Sequence, residues 1–291
     1  MSQAQTPATD EGAPQGLRVG LIGLGLMGGP ISKRFLSKGL PLTCYDIDEA
    51  ALADARRRGA STASNPAEVA RGSDATFVIV PTADDARSVC LGEDGLLAGA
   101  AEGSVIVLCS SLKPAVCAEI AERGLQQNVK VIDAPMTGGI SAAEDGTMTL
   151  LVGGDEGALE KARPAMQAIA TVVHHLGPIG AGQIGKTVNN LIHWGEVVVI
   201  TESLALGAKL GVDPSRLRPA LIDASVDSRS IRALETMRLT WHAKDLADAM
   251  EMADEVGAAL PTAAVVRERM KLLTQERVIK LLNDDEGWAS A

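Results

Sequence analysis

The run Gly185-Lys186-Thr187-Val188-Asn189-Asn190 places an amine and two amides within little more than one helical turn. Lys186 and Asn190 are four residues apart, so on a helix their side chains lie over one patch of surface. The sequence that follows, from Leu191 through Ala208, is mostly apolar and rich in helix formers. A lysine facing apolar surroundings is costly unless something requires it there. Held by an asparagine in a partly dry cleft, such an amine is a candidate acid/base group, because desolvation moves its pKa toward neutrality. Taken alone, the run also fits, and more simply, a solvated lysine near a helix start.

A second constellation is Gly23-Leu24-Gly25-Leu26-Met27-Gly28, which follows a strand candidate and opens a helix candidate. The first glycine allows a tight turn, the second lets a pyrophosphate approach the backbone, and the third lets helix pack on strand. The helix N-terminus adds free N–H groups and the positive end of a dipole. The next strand candidate ends at Tyr45-Asp46, with Asp46 eighteen residues past Gly28. An acidic side chain there binds ribose hydroxyls and repels a 2′-phosphate. NAD is therefore the expected cofactor, with NADP disfavoured. The alternative is a glycine turn in a Rossmann-like domain that holds no nucleotide.

Three later strand ends carry matching signals. Val80-Pro81-Thr82 lies where a parallel sheet presents its ligand crevice. In Cys109-Ser110-Ser111, a hydroxyl such as that of Ser111 suits the nicotinamide ribose or carboxamide. Serine and proline also populate any strand-to-loop junction. In Asp133-Ala134-Pro135-Met136-Thr137-Gly138-Gly139, the hydroxyl of Thr137 is followed by Gly138 and Gly139. That arrangement exposes backbone N–H groups able to cradle a carboxylate, although a plain turn before a helix reads the same way.

The elements that must position these groups alternate. Strands are predicted over 17–22, 42–45, 75–80, 104–108, 129–132, 147–152 and 172–176, with helices over 27–38, 49–58, 115–123 and 156–170 between several of them. Such alternation implies βαβ units and a largely parallel sheet. After the stretch Gly177-Pro178-Ile179-Gly180-Ala181-Gly182 the strand signals stop, and the remainder reads as helices only, the first running from near Ile184 to Leu210. The predicted organisation is a polar, flexible tail over 1–16, an α/β Rossmann domain over 17–180, and an all-α domain over 181–291, joined by a long interdomain helix. The last residues, Asp284–Ala291, are polar and expected to fray.

Composition narrows the classes. The chain has 291 residues, 46% apolar and 22% charged, enough to bury a sizeable core. Aromatics make up only 2%, which argues against stacking bases or sugars. A net charge of −10 argues against nucleic acid and anionic membranes as partners. Cys44, Cys90, Cys109 and Cys117 are dispersed without a C-x-x-C, as expected of buried free thiols in a reducing compartment. No signal peptide and no run of about twenty uninterrupted apolar residues is visible, so a cytoplasmic location without a membrane span is expected. His174-His175 lies on a strand candidate whose neighbours point to opposite faces, and no metal is expected.

The glycine fingerprint with Met27, the Asp-Ala-Pro-Met-Thr-Gly-Gly segment, Gly-Lys-Thr-Val-Asn-Asn and Lys244-Asp245-Leu246 occur together at one spacing over residues 17–280. In this the chain resembles the β-hydroxyacid dehydrogenase family, typified by 3-hydroxyisobutyrate dehydrogenase and tartronate semialdehyde reductase. The resemblance implies an N-terminal Rossmann domain, a long interdomain helix and an all-helical C-terminal domain that commonly forms dimers or tetramers. It also implies that Lys186 is the catalytic lysine and Asn190 the substrate-orienting asparagine, that Thr137, Gly138 and Gly139 hold the substrate carboxylate, and that Lys244 closes over cofactor and substrate. The implied reaction is hydride transfer between nicotinamide and a small β-hydroxy acid or semialdehyde, with Lys186 moving the hydroxyl proton.

The chain departs from that family in three places. Thr137 stands where serine is usual, Leu108 occupies a place often held by aspartate, and the segment 228–243, with Arg229, Arg232, Trp241 and His242 around it, is shorter than in typical members. That segment helps to wall the substrate pocket. His193, seven positions beyond Lys186, returns to the same helical face and would touch a larger or more polar substrate, unless it simply packs between helices. Two alternatives remain. Imine reductases share the architecture but usually lack the lysine, and a non-catalytic dinucleotide-binding module would not need it.

Overall fold

The computed structural model describes residues 16–283. The tail expected over residues 1–16 lies outside them except for Gly16, as does the tail from Asp284 to Ala291. The chain divides into two compact units, Met1–Lys186 and Thr187–Ala291.

The first unit opens β1 (Val19–Ile22), α1 (Gly28–Ser37), β2 (Leu42–Tyr45), α2 (Glu49–Arg57), β3 (Ser61–Thr62), α3 (Pro66–Arg71), β4 (Ala75–Val78), α4 (Ala83–Leu91) and α5 (Leu96–Gly99). It continues with β5 (Val105–Leu108), α6 (Pro114–Leu125), β6 (Lys130–Asp133), β7 (Met136–Thr137), α7 (Gly139–Asp145), β8 (Met148–Gly153), α8 (Glu156–Ile169) and β9 (Ala170–Gly177). The nine strands form one sheet in the order β3-β2-β1-β4-β5-β6-β8-β7, with β9 also paired to β8. Pairing is parallel from β3 through β6 and between β8 and β9. Only the contacts of β8 with β6 and β7 are antiparallel. This is the mostly parallel α/β fold the alternating pattern predicts.

The central strands β1, β4 and β5 are buried at every position, as strands covered on both faces must be. Along β5, Val105 and Val107 join one hydrophobic cluster while Ile106 and Leu108 join another. That alternation is the two-residue period of a strand, and it places one cluster on each face of the sheet. Phe35 and Phe77, with ring centroids 5.1 Å apart, fill the first cluster.

The strand predicted over 75–80 stops at Val78 because the chain there turns to side-chain partners. The N–H of Val80 donates to Ser110 Oγ at 2.8 Å rather than to a neighbouring strand. The helices between Ala63 and Ser104 were not predicted, although their starts carry local signals. Asn65 caps α3 with proline at its first position, and Thr82 and Asp85 form a reciprocal capping box on α4.

Helix α9 (Ala181–Lys209) begins in the first unit and supplies the first helix of the second. It is followed by α10 (Pro214–Ile222), α11 (Arg229–Arg232), α12 (His242–Glu255), α13 (Pro261–Met270) and α14 (Gln275–Leu282). Trp194, Val197, Val198 and Leu204 of α9 pack with Leu234, Leu246, Val266, Met270 and Val278 in a separate core. By length and composition α9 could cross a membrane, with a mean hydropathy of 1.3 over its most apolar window. Lys186, Asn190, His193 and Glu196 lie along it at successive turns, and Trp194, Val197, Val198 and Leu204 on it are buried in the helical core.

Candidate active site

The glycine fingerprint forms the turn between β1 and α1. Gly23 has φ of +92°, and a Cβ there would lie 2.0 Å from the Ile79 carbonyl oxygen, so no other residue fits. Gly25 is exposed, and a Cβ on it would meet nothing within 4 Å. Helix α1 has no side-chain cap at Met27, which leaves first-turn N–H groups for another acceptor. Leu26 is exposed and Met27 half-buried beside this turn.

Asp46, at the end of β2, joins that turn directly. Its Oδ2 accepts from the Leu24 N–H at 2.5 Å and its Oδ1 accepts from the Asp48 N–H at 2.8 Å. The carboxylate is thus held beside the glycine turn with lone pairs left on both oxygens. An open backbone at Gly25, an uncapped helix start and a fixed carboxylate eighteen residues past Gly28 fit a dinucleotide.

A second cluster ties the start of α9 to the carboxyl ends of β5 and β6. Asp133 Oδ1 accepts from the Gly180 N–H at 2.6 Å, and Oδ2 accepts from the Gln183 N–H at 2.8 Å. The Gln183 side chain accepts from the Leu112 N–H at 3.0 Å and donates to the Ser110 carbonyl at 2.9 Å. A Cβ on Gly182 would lie 2.3 Å from the Leu151 carbonyl oxygen and 2.7 Å from Asp133 Oδ2. Only glycine therefore lets helix and carboxylate meet. Leu108 is fully buried and pairs in register with Asp133.

Asp133 is fully buried. Burial raises its pKa from 3.8 to about 6, against the lowering effect of the N–H groups of Gly180 and Gln183. Desolvation wins over charge-assisted hydrogen bonding, by roughly 3 kcal/mol for a shift of that size. All four cysteines are buried and free, and desolvation pushes the Cys44 and Cys90 thiols up to about 12.

Lys186 lies on α9 three residues beyond Gln183 and is half-buried. Asn190, one turn on, is 8% exposed, and its Oδ1 accepts from Asn189 Nδ2 at 3.1 Å. That contact uses the Asn190 side-chain oxygen and not its amide nitrogen. His193 follows on the same face, with Nδ1 2.9 Å from Ser230 Oγ.

The other predicted site residues are more dispersed. Val80 is half-buried and bonded to Ser110, while Pro81 and Ser111 are exposed. Thr137, on β7, donates from Oγ1 to the Thr149 carbonyl at 3.3 Å. Gly138 and Gly139 follow with φ of +110° and +73°, conformations that glycine adopts without strain. Lys244, on α12, pairs with Asp248 at 2.7 Å.

Four groups at these clusters were not singled out from sequence. Asp133 appeared only as part of a motif, and Gln183, Glu196 and Ser230 not at all. Gln183 had a visible signal, a lone amide among the glycines before the lysine. Ser230, whose hydroxyl donates to Glu196 Oε2 at 2.5 Å, had none, and neither had Glu196, because their meeting depends on tertiary packing.

Comparison with known proteins bears on the family and the fold. A model of the NAD binding domain of 6-phosphogluconate dehydrogenase matches residues 18–180. A second, described as the NAD-binding domain of NADP-dependent 3-hydroxyisobutyrate dehydrogenase, matches residues 180–281. The 2-(hydroxymethyl)glutarate dehydrogenase of Eubacterium barkeri is 32% identical over 87% of this chain and 87% of its own. The chain belongs to the β-hydroxyacid dehydrogenase family. Another family member, 3-hydroxyisobutyrate dehydrogenase of Pseudomonas aeruginosa, is 28% identical over 88% of this chain and 92% of its own. The fold matches the solved 3-hydroxyisobutyrate dehydrogenase of Mycobacterium tuberculosis with L-serine, at a TM-score of 0.81 and 24% identity, over 91% of this chain and 99% of that one. As a β-hydroxyacid dehydrogenase-family oxidoreductase, the chain has an NAD-binding N-terminal unit.

Proposed function

We propose that this oxidoreductase interconverts a small β-hydroxy acid and its semialdehyde, with Lys186 as general acid/base. The observation that carries the reading is the position of Lys186 on α9. It stands three residues past Gln183, whose backbone and side chain are bound to Asp133, Leu112 and Ser110. Those partners lie at the carboxyl ends of β5 and β6, the edge where open parallel sheets bind ligands.

Gly23, Gly25, Leu26, Met27 and Gly28 receive the pyrophosphate, and Asp46 receives the adenosine ribose and disfavours a 2′-phosphate. Val80, Pro81 and Ser111 line the nicotinamide end, and Lys244 also serves the cofactor. NAD, when bound, supplies the hydride acceptor. In oxidation the neutral amine of Lys186 takes the hydroxyl proton, and in reduction the ammonium returns it to the carbonyl oxygen. Asn190 donates from its amide nitrogen to the substrate, and Thr137, Gly138 and Gly139 hold its carboxylate.

Two relatives are named for 2-(hydroxymethyl)glutarate and 3-hydroxyisobutyrate. Both compounds carry a hydroxymethyl group on the carbon next to a carboxylate, and this is the substrate class we assign. Lys186 favours an alcohol–carbonyl reaction over imine reduction, which does not need this base. The buried free thiols suit a reducing, cytoplasmic setting. The exposed apolar side chains of Val188, Ile192, Val199 and Leu206 on α9 suit a homodimer or homotetramer.

Following NADH absorbance with hydroxymethyl acids, semialdehydes and cyclic imines in parallel tests the reading. Turnover of the acids or semialdehydes supports it. Turnover of imines alone, or of nothing despite NAD binding, rejects it.

A further inference from the structure

Helix α9 carries an apolar stripe on the side away from its proposed chemistry. Ile184, Val188, Ile192, Val199 and Leu206 are between 48% and 61% exposed. Successive helical residues turn by about 100°, so these five positions and Gly195 leave the axis within an arc of about 80°. Lys186 and Asn190 leave it on the opposite side, as do Val197 and Leu204 of the helical core. Neither the acid/base group nor that core therefore accounts for the stripe.

Gly195 stands at its middle, eleven residues from Ile184 and eleven from Leu206. Glycine inside a helix costs stability relative to alanine. No contact in the chain calls for it, since a Cβ at 195 would meet nothing within 4 Å among the described residues. A missing side chain is useful where a second helix crosses, because small residues let two axes approach closely. The stripe is also nearly the same read in either direction from Gly195, with Val188 and Glu202 seven residues to each side, and Ile192 and Val199 three and four. A second copy of the same helix, related by a twofold axis at Gly195, matches that symmetry. Ile184 of one copy then meets Leu206 of the other, and Ile192 meets Val199.

Charge and area fit the same arrangement. Glu202 lies on the stripe, and its Oε1 already accepts from Arg269 Nε of α13 at 2.7 Å. Antiparallel pairing sets it opposite Val188 of the second copy, whereas parallel pairing would set two glutamates together and align two helix dipoles. Val265, one turn before Arg269, is exposed on the same side of α13 and widens the face. The exposed parts of these six apolar side chains amount to about 600 Å² per copy and roughly 1,200 Å² in a pair, the lower end of specific protein interfaces.

We propose that α9 is the contact of a twofold homodimer, in which the two copies of the helix pack antiparallel and cross at Gly195. The inference does not rest on the role of Lys186, and its test reads mass rather than turnover.

Light scattering on the purified full chain at micromolar concentration is expected to give an even multiple of the chain mass. Gly195→Leu and Ile192→Glu should each halve that mass, with circular dichroism checking that the variants are folded. A cysteine pair tests the register even if neither variant folds. With oxidised glutathione, which takes up the electrons and protons of the two thiols, Ile184→Cys/Leu206→Cys should form a disulfide-linked dimer. Within one chain these positions are about 33 Å apart, too far for a bridge, and each single variant should stay uncrosslinked. The four native thiols are buried. A monomeric native chain, a mass unchanged in both folded variants, no crosslink in the cysteine pair, or a crosslink in either single variant overturns the inference.

Discussion

The backbone N–H of Gln183 donates to Asp133 Oδ2 at 2.8 Å, and Gly180 donates to the other oxygen of the same carboxylate at 2.6 Å. Helix α9, which carries Lys186, therefore starts on a buried acid at the end of β6. The arrangement fixes the helix start in the first unit and draws on the positive end of its dipole. It also has a cost, since the carboxylate has lost its water.

That cost is visible in pH. Because the folded pKa of Asp133 is raised from 3.8 to about 6, its contribution to stability is fully present below about pH 3.8 and is lost as pH rises through 6. Asp133→Asn abolishes this titration. Between about pH 4 and 6 the unfolding free energy of the native protein should fall relative to that of the variant, by up to roughly 3 kcal/mol. Asn cannot accept both N–H groups as the carboxylate does, so above about pH 6 the variant should hold the start of α9 less firmly and be lower in turnover. Denaturant melts at several pH values measure the difference, and a pH-independent one would refute the assignment.

The glycine turn separates fold from binding. Gly25→Ala places its methyl in open space, so the melting temperature should hold while NAD affinity falls by about tenfold or more, as the methyl obstructs the pyrophosphate. Gly23→Ala instead drives a methyl onto the Ile79 carbonyl at a φ of +92° and should destabilise the unit by several kcal/mol, roughly 2–4 by the usual cost of overpacking and strain. Calorimetric titration with NAD alongside thermal melting distinguishes the two.

Asp46 sets the choice between dinucleotides. Asp46→Ser removes the charge that repels a 2′-phosphate, and the ratio of kcat/KM for NADP over NAD should rise by about tenfold, with a further rise in Asp46→Ser/Ile47→Arg. Some loss with both cofactors is also expected, because Asp46 holds the Leu24 and Asp48 N–H groups. A native enzyme that already prefers NADP would contradict this role.

Much of the first unit was legible because its signals are local. Apolar runs bounded by turn residues marked β2 at its observed limits, 42–45, and the glycine fingerprint was readable from the backbone freedom that only glycine supplies. The helices of 66–99 were missed because they are short and lie between β3 and β5 with little periodic signal, though Asn65-Pro66 and Thr82 marked two of the starts. That Lys186 and Asn190 share a helical face was legible from their spacing, while the roles proposed for them came from the family resemblance. The clamp of Asp133 and Gln183, and the relay from Glu196 through Ser230 to His193, were not legible. Their partners are 50 and 37 residues apart in sequence, and no periodicity encodes which polar groups meet across that distance.

The central claim is that Lys186 moves the proton. Its most direct test is Lys186→Ala, assayed for NADH formation from a β-hydroxy acid that the native enzyme oxidises, with NAD affinity measured separately by calorimetry. Loss of a general base should lower kcat by about 10²–10⁴-fold while NAD affinity stays close to native. Native-like turnover in the variant would contradict the account.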